Sequence, residues 1–198
     1  AKKAGAVVVD TDRRKLDAEA LRDSVMTLAG SLDLARPGAH PFPPLSQWRW
    51  TAHYQFKAVY PSNHRSVYLM VQRLHPHPYL ALFNGPDTSQ STAVRDDSAV
   101  PLQALYLLNS PFIHEQASLF AQRLLNEESD PVRRLELAYE RTFGRPPSEA
   151  EIARSERFAE SYRRALETEG CASDKRELEV WAGLARVLFA SNEFIHVD

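Results

Sequence analysis

Apolar residues near the start of the chain recur at alternating steps of three and four. This spacing places them on one face of an amphipathic helix. Gly30 provides a C-terminal stop signal for that helix. The pattern therefore predicts a helix within residues 1–34, and its apolar positions are Ala18, Leu21, Val25, Leu28 and Leu32.

Similar stripes recur after residue 100, and each follows a helix start signal. Proline suits the first helical turn, and a capping residue accepts bonds from the free N–H groups of that turn. We predict a bundle of four or five helices over residues 100–198 and a mainly α fold. The expected start signals are Ser98, Pro111, Asp130-Pro131, the Ser148-x-x-Glu151 capping box, and Ser173 or Asp174.

Residues 35–99 are rich in proline and have a different pattern. Apolar residues alternate with others at Val67, Leu69 and Val71, which favours a β-strand. A turn at residues 61–63 would pair residues 52–59 with 65–72 as a small β-hairpin, although a short helix over 66–73 is also consistent. Residues 75–99 are expected to form a loop with little helix. The whole chain, 1–198, is interpreted as one domain.

Composition narrows the class of protein. The chain has 198 residues, with 24 Lys and Arg against 26 Asp and Glu, so its net charge is −2. With 43% apolar and 25% charged residues it is typical of globular domains rather than disordered ones. Near-neutrality argues against nucleic acid as a partner, because such binding needs clustered Lys and Arg. No apolar run approaches the ~20 residues of a membrane span.

The lone cysteine, Cys171, excludes an internal disulfide and a Cys-rich metal site. It also excludes c-type haem in this chain, because that attachment needs two cysteines. The chain begins at Ala1 without Met or a signal peptide, which suggests a piece of a longer protein.

Six phrases taken together carry a family resemblance. They occur in order from about residue 13 to the end, and the ordered series is more specific than any one phrase. The chain resembles a planctomycete-specific domain of unknown function that lies C-terminal to a cytochrome-c-like domain in large exported proteins. The phrases begin at Arg14 (RKLDAEALRDS), Asn63 (NHRSVYL), Leu82 (LFNGPD), Val100 (VPLQAL), Phe143 (FGRPP) and Ser191 (SNEF).

The resemblance implies an exported or periplasmic bacterial protein whose partners are neighbouring domains of the same parent. It implies haem only on a separate domain, no cofactor in this chain, and no established activity. Two positions depart from the pattern. Ala35-Arg36-Pro37-Gly38 replaces a Gly-Gly-Pro-like turn, and the loop after Asp87 lacks a cysteine often found there.

Arg65, Tyr68 and Arg95 are candidate ligand-binding residues. Guanidinium groups hold carboxylates with two hydrogen bonds, and an aromatic face stacks on a sugar. The competing interpretation is that Arg65 and Arg95 pair with Asp87, Asp96 or Asp97 and only fix the long loop.

His75 and His77 are candidate metal ligands, because residues two apart on an extended chain point to the same side. A metal site needs a third ligand, and folding would have to bring His53, His64 or Asp87 close. The alternative is a solvated proline-rich loop. Trp48 and Trp50 would share one strand face and are more often core or docking surface than a sugar platform.

No complete catalytic constellation occurs, since both a G-x-S-x-G elbow and a phosphate-binding glycine motif are missing. The leading hypothesis is a non-catalytic helical module that docks or contacts a ligand. One alternative is part of a redox or polysaccharide-active enzyme whose site is completed by neighbouring domains. Another is a carbohydrate-binding module.

Overall fold

The fold was analysed in a computed structural model. It describes residues 14–51, 53–54, 56, 58–73, 75–89, 91, 93, 95 and 100–197. The predicted mainly α fold class is confirmed. The predicted Ser98 cap lies outside the described residues.

The first helix, α1, spans Ala18–Ala29 and ends at Gly30, as predicted. Gly30 adopts φ 76°, a left-handed conformation that glycine reaches without strain. The buried face of α1 includes Leu21, Val25 and Met26. This face packs mainly against the helix that spans Pro111–Glu127.

Six further helices follow residue 100. Ser110 and Asp130 cap two of them by accepting hydrogen bonds from the N–H groups of Ile113 (3.2 Å) and Arg133 (2.9 Å). The last long helix begins at Ser173 with Ala172 at the cap position, so neither Ser173 nor Asp174 is the cap. The helices are α3 (Pro101–Asn109), α4 (Pro111–Glu127), α5 (Pro131–Phe143), α6 (Glu149–Thr168), α7 (Ser173–Phe189) and α8 (Asn192–Ile195).

Helix α4 is the centre of the core, between α1 and α7. Phe120 of α4 and Phe189 of α7 are fully buried, and their stacked ring centroids lie 5.7 Å apart. The same buried cluster includes four residues from the Pro-rich half, namely Leu69, Tyr79, Leu80 and Phe83. One end of the Pro-rich segment is therefore part of the common core.

The predicted β-hairpin is wrong in its location. In the described parts of residues 52–59 and 65–72 there is no strand, and residues Ser66–Tyr68 form a 3₁₀ turn. The N–H groups of Tyr68 and Leu69 donate to carbonyls within that turn, so they are not available to a partner strand. Instead, β1 (Arg14–Lys15) pairs antiparallel with β2 (His196–Val197).

The rest of the Pro-rich segment, where the structure describes it, has little regular structure. A second 3₁₀ turn covers Leu45–Gln47, and a short helix, α2, covers Pro78–Leu82, where a loop was expected. Prolines lack the N–H group that helices and sheets need, which explains why the segment is mostly irregular. Among the described helices, none is both long and apolar enough to cross a membrane.

Arg145 joins the α5–α6 turn to the C-terminal end of the chain. Its guanidinium forms paired hydrogen bonds to Glu151 (2.8 and 3.0 Å) and to Glu193 (2.6 and 2.7 Å). The Glu151 carboxylate also accepts from the Ser148 N–H at 2.7 Å. These bonds, those from Arg145 above all, lower the pKa of Glu151 from 4.5 to about 2.

We expect the Arg145–Glu151 pair to make stability depend on acid. Because the folded-state pKa of Glu151 is depressed, its contribution is complete above about pH 4.5 and is lost as the pH falls towards 2. Arg145 is more than a third exposed, so we discount the shift to about 1–2 kcal/mol. Urea unfolding should show this loss at pH 7 in Glu151→Gln, together with a flatter pH dependence below 4.5. Glu156→Gln, an exposed position on the same helix, should behave as the original chain, and equal curves for both variants would contradict the assignment.

Candidate functional site

Five aromatic side chains of the Pro-rich segment touch one another and form what we call the aromatic patch. Phe56 is its hub, with ring centroids 5.4 Å from Phe42, 5.0 Å from Trp50 and 6.3 Å from Tyr60. Trp48 completes the patch, 5.1 Å from Trp50 and 6.3 Å from Phe42. The patch is therefore one continuous set of rings.

The aromatic patch lies outside the helical core. None of its members belongs to the buried cluster that includes α1, α4 and α7. Phe42 is 50% exposed and Trp48 is 46% exposed, whereas Trp50, Phe56 and Tyr60 are half-buried. The Trp48 indole N–H donates to the Pro43 carbonyl at 2.8 Å, which fixes the orientation of its ring. The patch thus presents aromatic surface to solvent.

A pocket of about 250 Å³ opens at the Tyr60 end of the patch. The chain at residues 37–41 forms one wall, and residues 60–62, 64 and 68–70 form the other. His40 lines this pocket and also contacts Phe42 of the patch, with ring centroids 6.3 Å apart. The pocket and the patch are therefore continuous.

Arg22 of α1 attaches the Pro-rich segment to the helical core. This guanidinium is 8% exposed and donates to the Ser62 carbonyl (2.6 Å) and the Ser66 hydroxyl (3.1 Å). It also lies 4.9 Å above the ring centre of Phe112 on α4. Burial lowers the pKa of Arg22. One side chain thus joins α1, α4 and the pocket wall.

Asp23 and Asp33 supply two further attachments. Asp23 of α1 accepts from the buried N–H of Ser66 at 2.8 Å. Asp33, just after α1, forms a parallel β-bridge with His64, and its carboxylate lies 3.3 Å from His64 Nδ1. Side chains of α1, together with this one β-bridge, therefore fix the pocket wall.

The structure does not bring the three predicted ligand residues to one place. Tyr68 lines the pocket, and Arg65 lies next to His64 but does not line it. Arg95 instead forms a paired salt bridge with Glu19 of α1, at 2.6 and 3.1 Å. The competing interpretation paired Arg65 and Arg95 with Asp87, Asp96 or Asp97. Asp96 and Asp97 lie outside the described residues, and the described carboxylates nearest Arg95 are those of Glu19 and Asp17. The hydrogen bond to Glu19 raises the pKa of Arg95.

His75 and His77 lie half-buried just before α2. Their Nδ1 atoms are buried without a hydrogen-bond partner. Burial, and then the charge of Arg22, lower the pKa of His77. Among the described residues no group of three His, Cys, Asp or Glu side chains is placed to hold a metal ion. Metal binding by this pair stays a prediction.

Neither the role of Arg22 nor most of the aromatic patch was predicted from the sequence. Trp48 and Trp50 were expected on a strand, whereas Trp48 ends a 3₁₀ turn and Trp50 follows in irregular chain. No local pattern indicated that Arg22 would be buried, since one cation on an amphipathic helix is usually solvated. The density of aromatic residues over 42–60 was the signal for the patch.

The fold defines a mainly α-helical domain that carries an irregular, aromatic surface segment. A family model described as PSD1, protein of unknown function (DUF1553), matches residues 3–159. The chain belongs to this family. No curated protein and no solved structure matches the chain.

We expect Asp23→Ala to loosen the pocket wall. The variant leaves the Ser66 N–H buried without an acceptor, which costs about 1–3 kcal/mol. Urea unfolding should show this loss, and limited proteolysis should cut residues 35–73 faster. Asp23→Asn keeps a side-chain acceptor and should restore most of both properties. Unchanged proteolysis in Asp23→Ala would show that the contact does not hold the segment.

Proposed function

We propose that the chain is a non-catalytic helical scaffold that presents the aromatic patch to a carbohydrate. The observation that carries this proposal is the position of the patch. Its five rings are continuous, partly exposed and separate from the helical core. Exposed apolar surface of this kind marks a binding site more often than a structural one.

Carbohydrate is the ligand class that best fits the patch. The C–H face of a sugar ring is apolar and flat, so it covers aromatic rings, while its hydroxyl groups meet polar atoms at the edge. The adjoining pocket supplies such atoms from Ser62, His64 and Tyr68. Its volume of about 250 Å³ suits one or two sugar units rather than the surface of a partner protein.

Binding without turnover is supported by the lack of a carboxylate pair at the pocket. Most glycoside hydrolases use a pair of Asp or Glu side chains on either side of the scissile bond. Among the described residues that line the pocket none is Asp or Glu, and Asp33, 3.3 Å from His64 Nδ1, is a single carboxylate beside it. An enzymatic role would therefore need a further catalytic carboxylate from elsewhere in the chain or from a neighbouring domain.

The family resemblance supports a wider context for this role. We propose that the chain belongs to a large exported planctomycete protein with a cytochrome-c-like domain. In that arrangement haem is confined to the separate domain, and this chain needs no cofactor of its own.

Affinity electrophoresis against immobilised polysaccharides, both neutral and charged, tests carbohydrate binding. We expect retardation by at least one polysaccharide, and Trp48→Ala should weaken it at least fivefold, because lost stacking costs about 1 kcal/mol or more. Leu45→Ala is the control, since Leu45 is 75% exposed in the adjacent turn but is not part of the patch. The proposal fails if no polysaccharide binds, or if both variants weaken binding equally.

Docking to a neighbouring domain is a second candidate function, supported by one face of α3. Leu102, Leu105 and Leu108 are 63%, 54% and 45% exposed at successive steps of three residues. The opposite face, with Gln103 and Leu107, is buried. An exposed apolar helix face of this size is typical of a protein interface.

Leu102→Ser should weaken that docking at least threefold, because it removes apolar area from the interface. Titration of the chain with the purified neighbouring cytochrome-c-like domain measures the affinity. Leu119→Ser is the matched control, since Leu119 is a 41% exposed leucine on α4. No association at tens of micromolar would contradict docking.

A further inference from the structure

Residues 34–86, which include most of the Pro-rich segment, carry a charge that the total for the chain conceals. Residues 34–86 have no acidic residue, so their five basic residues give a net charge of +5 with histidines neutral. The whole chain carries −2, so the remaining residues carry −7. A basic surface segment is therefore mounted on an acidic scaffold. The basic residues are Arg36, Arg49, Lys57, Arg65 and Arg73.

The four arginines of this segment are exposed. Within the described part of the chain none of them forms an ion pair, whereas many arginines of the helical bundle do. An exposed guanidinium without a carboxylate keeps its N–H donors for an anionic ligand. The paired arginines of the bundle are Arg123, Arg134, Arg141, Arg145, Arg163, Arg164 and Arg176.

One of the exposed arginines lies beside the aromatic patch, and a second is adjacent in sequence to the pocket. Arg49 follows Trp48, and its Nη1 donates to the carbonyls of Ser46 (2.8 Å) and Trp48 (3.0 Å). These bonds hold the guanidinium beside the most exposed tryptophan. Arg65 follows His64, which lines the pocket with Tyr60, and its side chain is exposed. A cation therefore lies at one end of the stacking surface, and a second exposed cation follows the pocket wall in sequence.

We propose that the ligand of the aromatic patch is an anionic polysaccharide. Its sugar rings stack on the patch, and its sulfate or carboxylate groups bind Arg49 and Arg65. This inference rests on the proposed carbohydrate function and adds the charge of the ligand. A neutral polysaccharide would use the rings and leave these two cations without a partner.

Three polymers with the same backbone test the charge directly. The purified chain is titrated with dextran, carboxymethyl dextran and dextran sulfate in 50 mM NaCl. We expect at least one charged polymer to bind ten times more tightly than dextran, and the preferred one identifies carboxylate or sulfate as the anion. The preference should fall at least tenfold in 500 mM NaCl, because salt screens exposed charges.

Single arginine variants locate the anion. Arg49→Gln and Arg65→Gln should each weaken binding of the preferred charged polymer about threefold to tenfold and leave dextran binding unchanged. Arg157→Gln removes the same charge from an exposed position on α6 and should have no effect. Trp48→Ala should weaken binding of charged and neutral polymers alike.

The outcomes separate the two proposals. Equal binding of all three dextrans, with loss in Trp48→Ala, overturns the anionic ligand and leaves the carbohydrate function. Equal weakening by Arg157→Gln shows a general charge effect and overturns the site. Binding of oligo-dT or polyglutamate as tight as that of the preferred dextran shows that sugar rings are not recognised, which overturns both proposals.

Discussion

The Arg22 guanidinium holds the irregular half of the chain to the helical half. The described part of the Pro-rich segment forms no β-ladder of its own, so side chains of other elements satisfy part of its backbone. Arg22 donates to the Ser62 carbonyl and the Ser66 hydroxyl, while the neighbouring Asp23 accepts from the Ser66 N–H. Both come from α1, which α4 holds in the core. The shape of the pocket therefore depends on the packing of α1 against α4.

The buried core that stabilises the fold and the proposed binding surface are separate parts of the molecule. The buried cluster around Phe120 and Phe189 supplies most of the apolar burial, and the ion pairs of the bundle lie on its surface. The aromatic patch and the exposed arginines contribute little to that core. Residues that stabilise the fold and residues of the proposed binding surface are thus largely different sets, as expected when irregular chain is presented on a rigid scaffold.

Candidate chemistry was only partly predictable, because its meaning depends on partners distant in sequence. Tyr68 lines the pocket, whereas Arg95 pairs with Glu19, which is 76 positions away. The net charge of the chain is a poor predictor of partners in the same way. The near-neutral total for the chain argued against nucleic acid as a partner, whereas the distribution along the chain concentrates net positive charge in residues 34–86.

Local sequence patterns were enough to predict α1 and most of the helices after residue 100, because caps, glycine stops and apolar periodicity act within a few residues of one another. They predicted α1, its end at Gly30, and the starts at Ser110-Pro111, Asp130-Pro131 and Ser148. The path of the Pro-rich segment, the helix α2 and the location of the β pair depend instead on tertiary contacts. Alternation over residues 65–72 suggests a strand, but the Ser66 N–H is taken by Asp23 of another element. Long-range contacts of this kind leave no periodic signal, so local patterns could not reveal them.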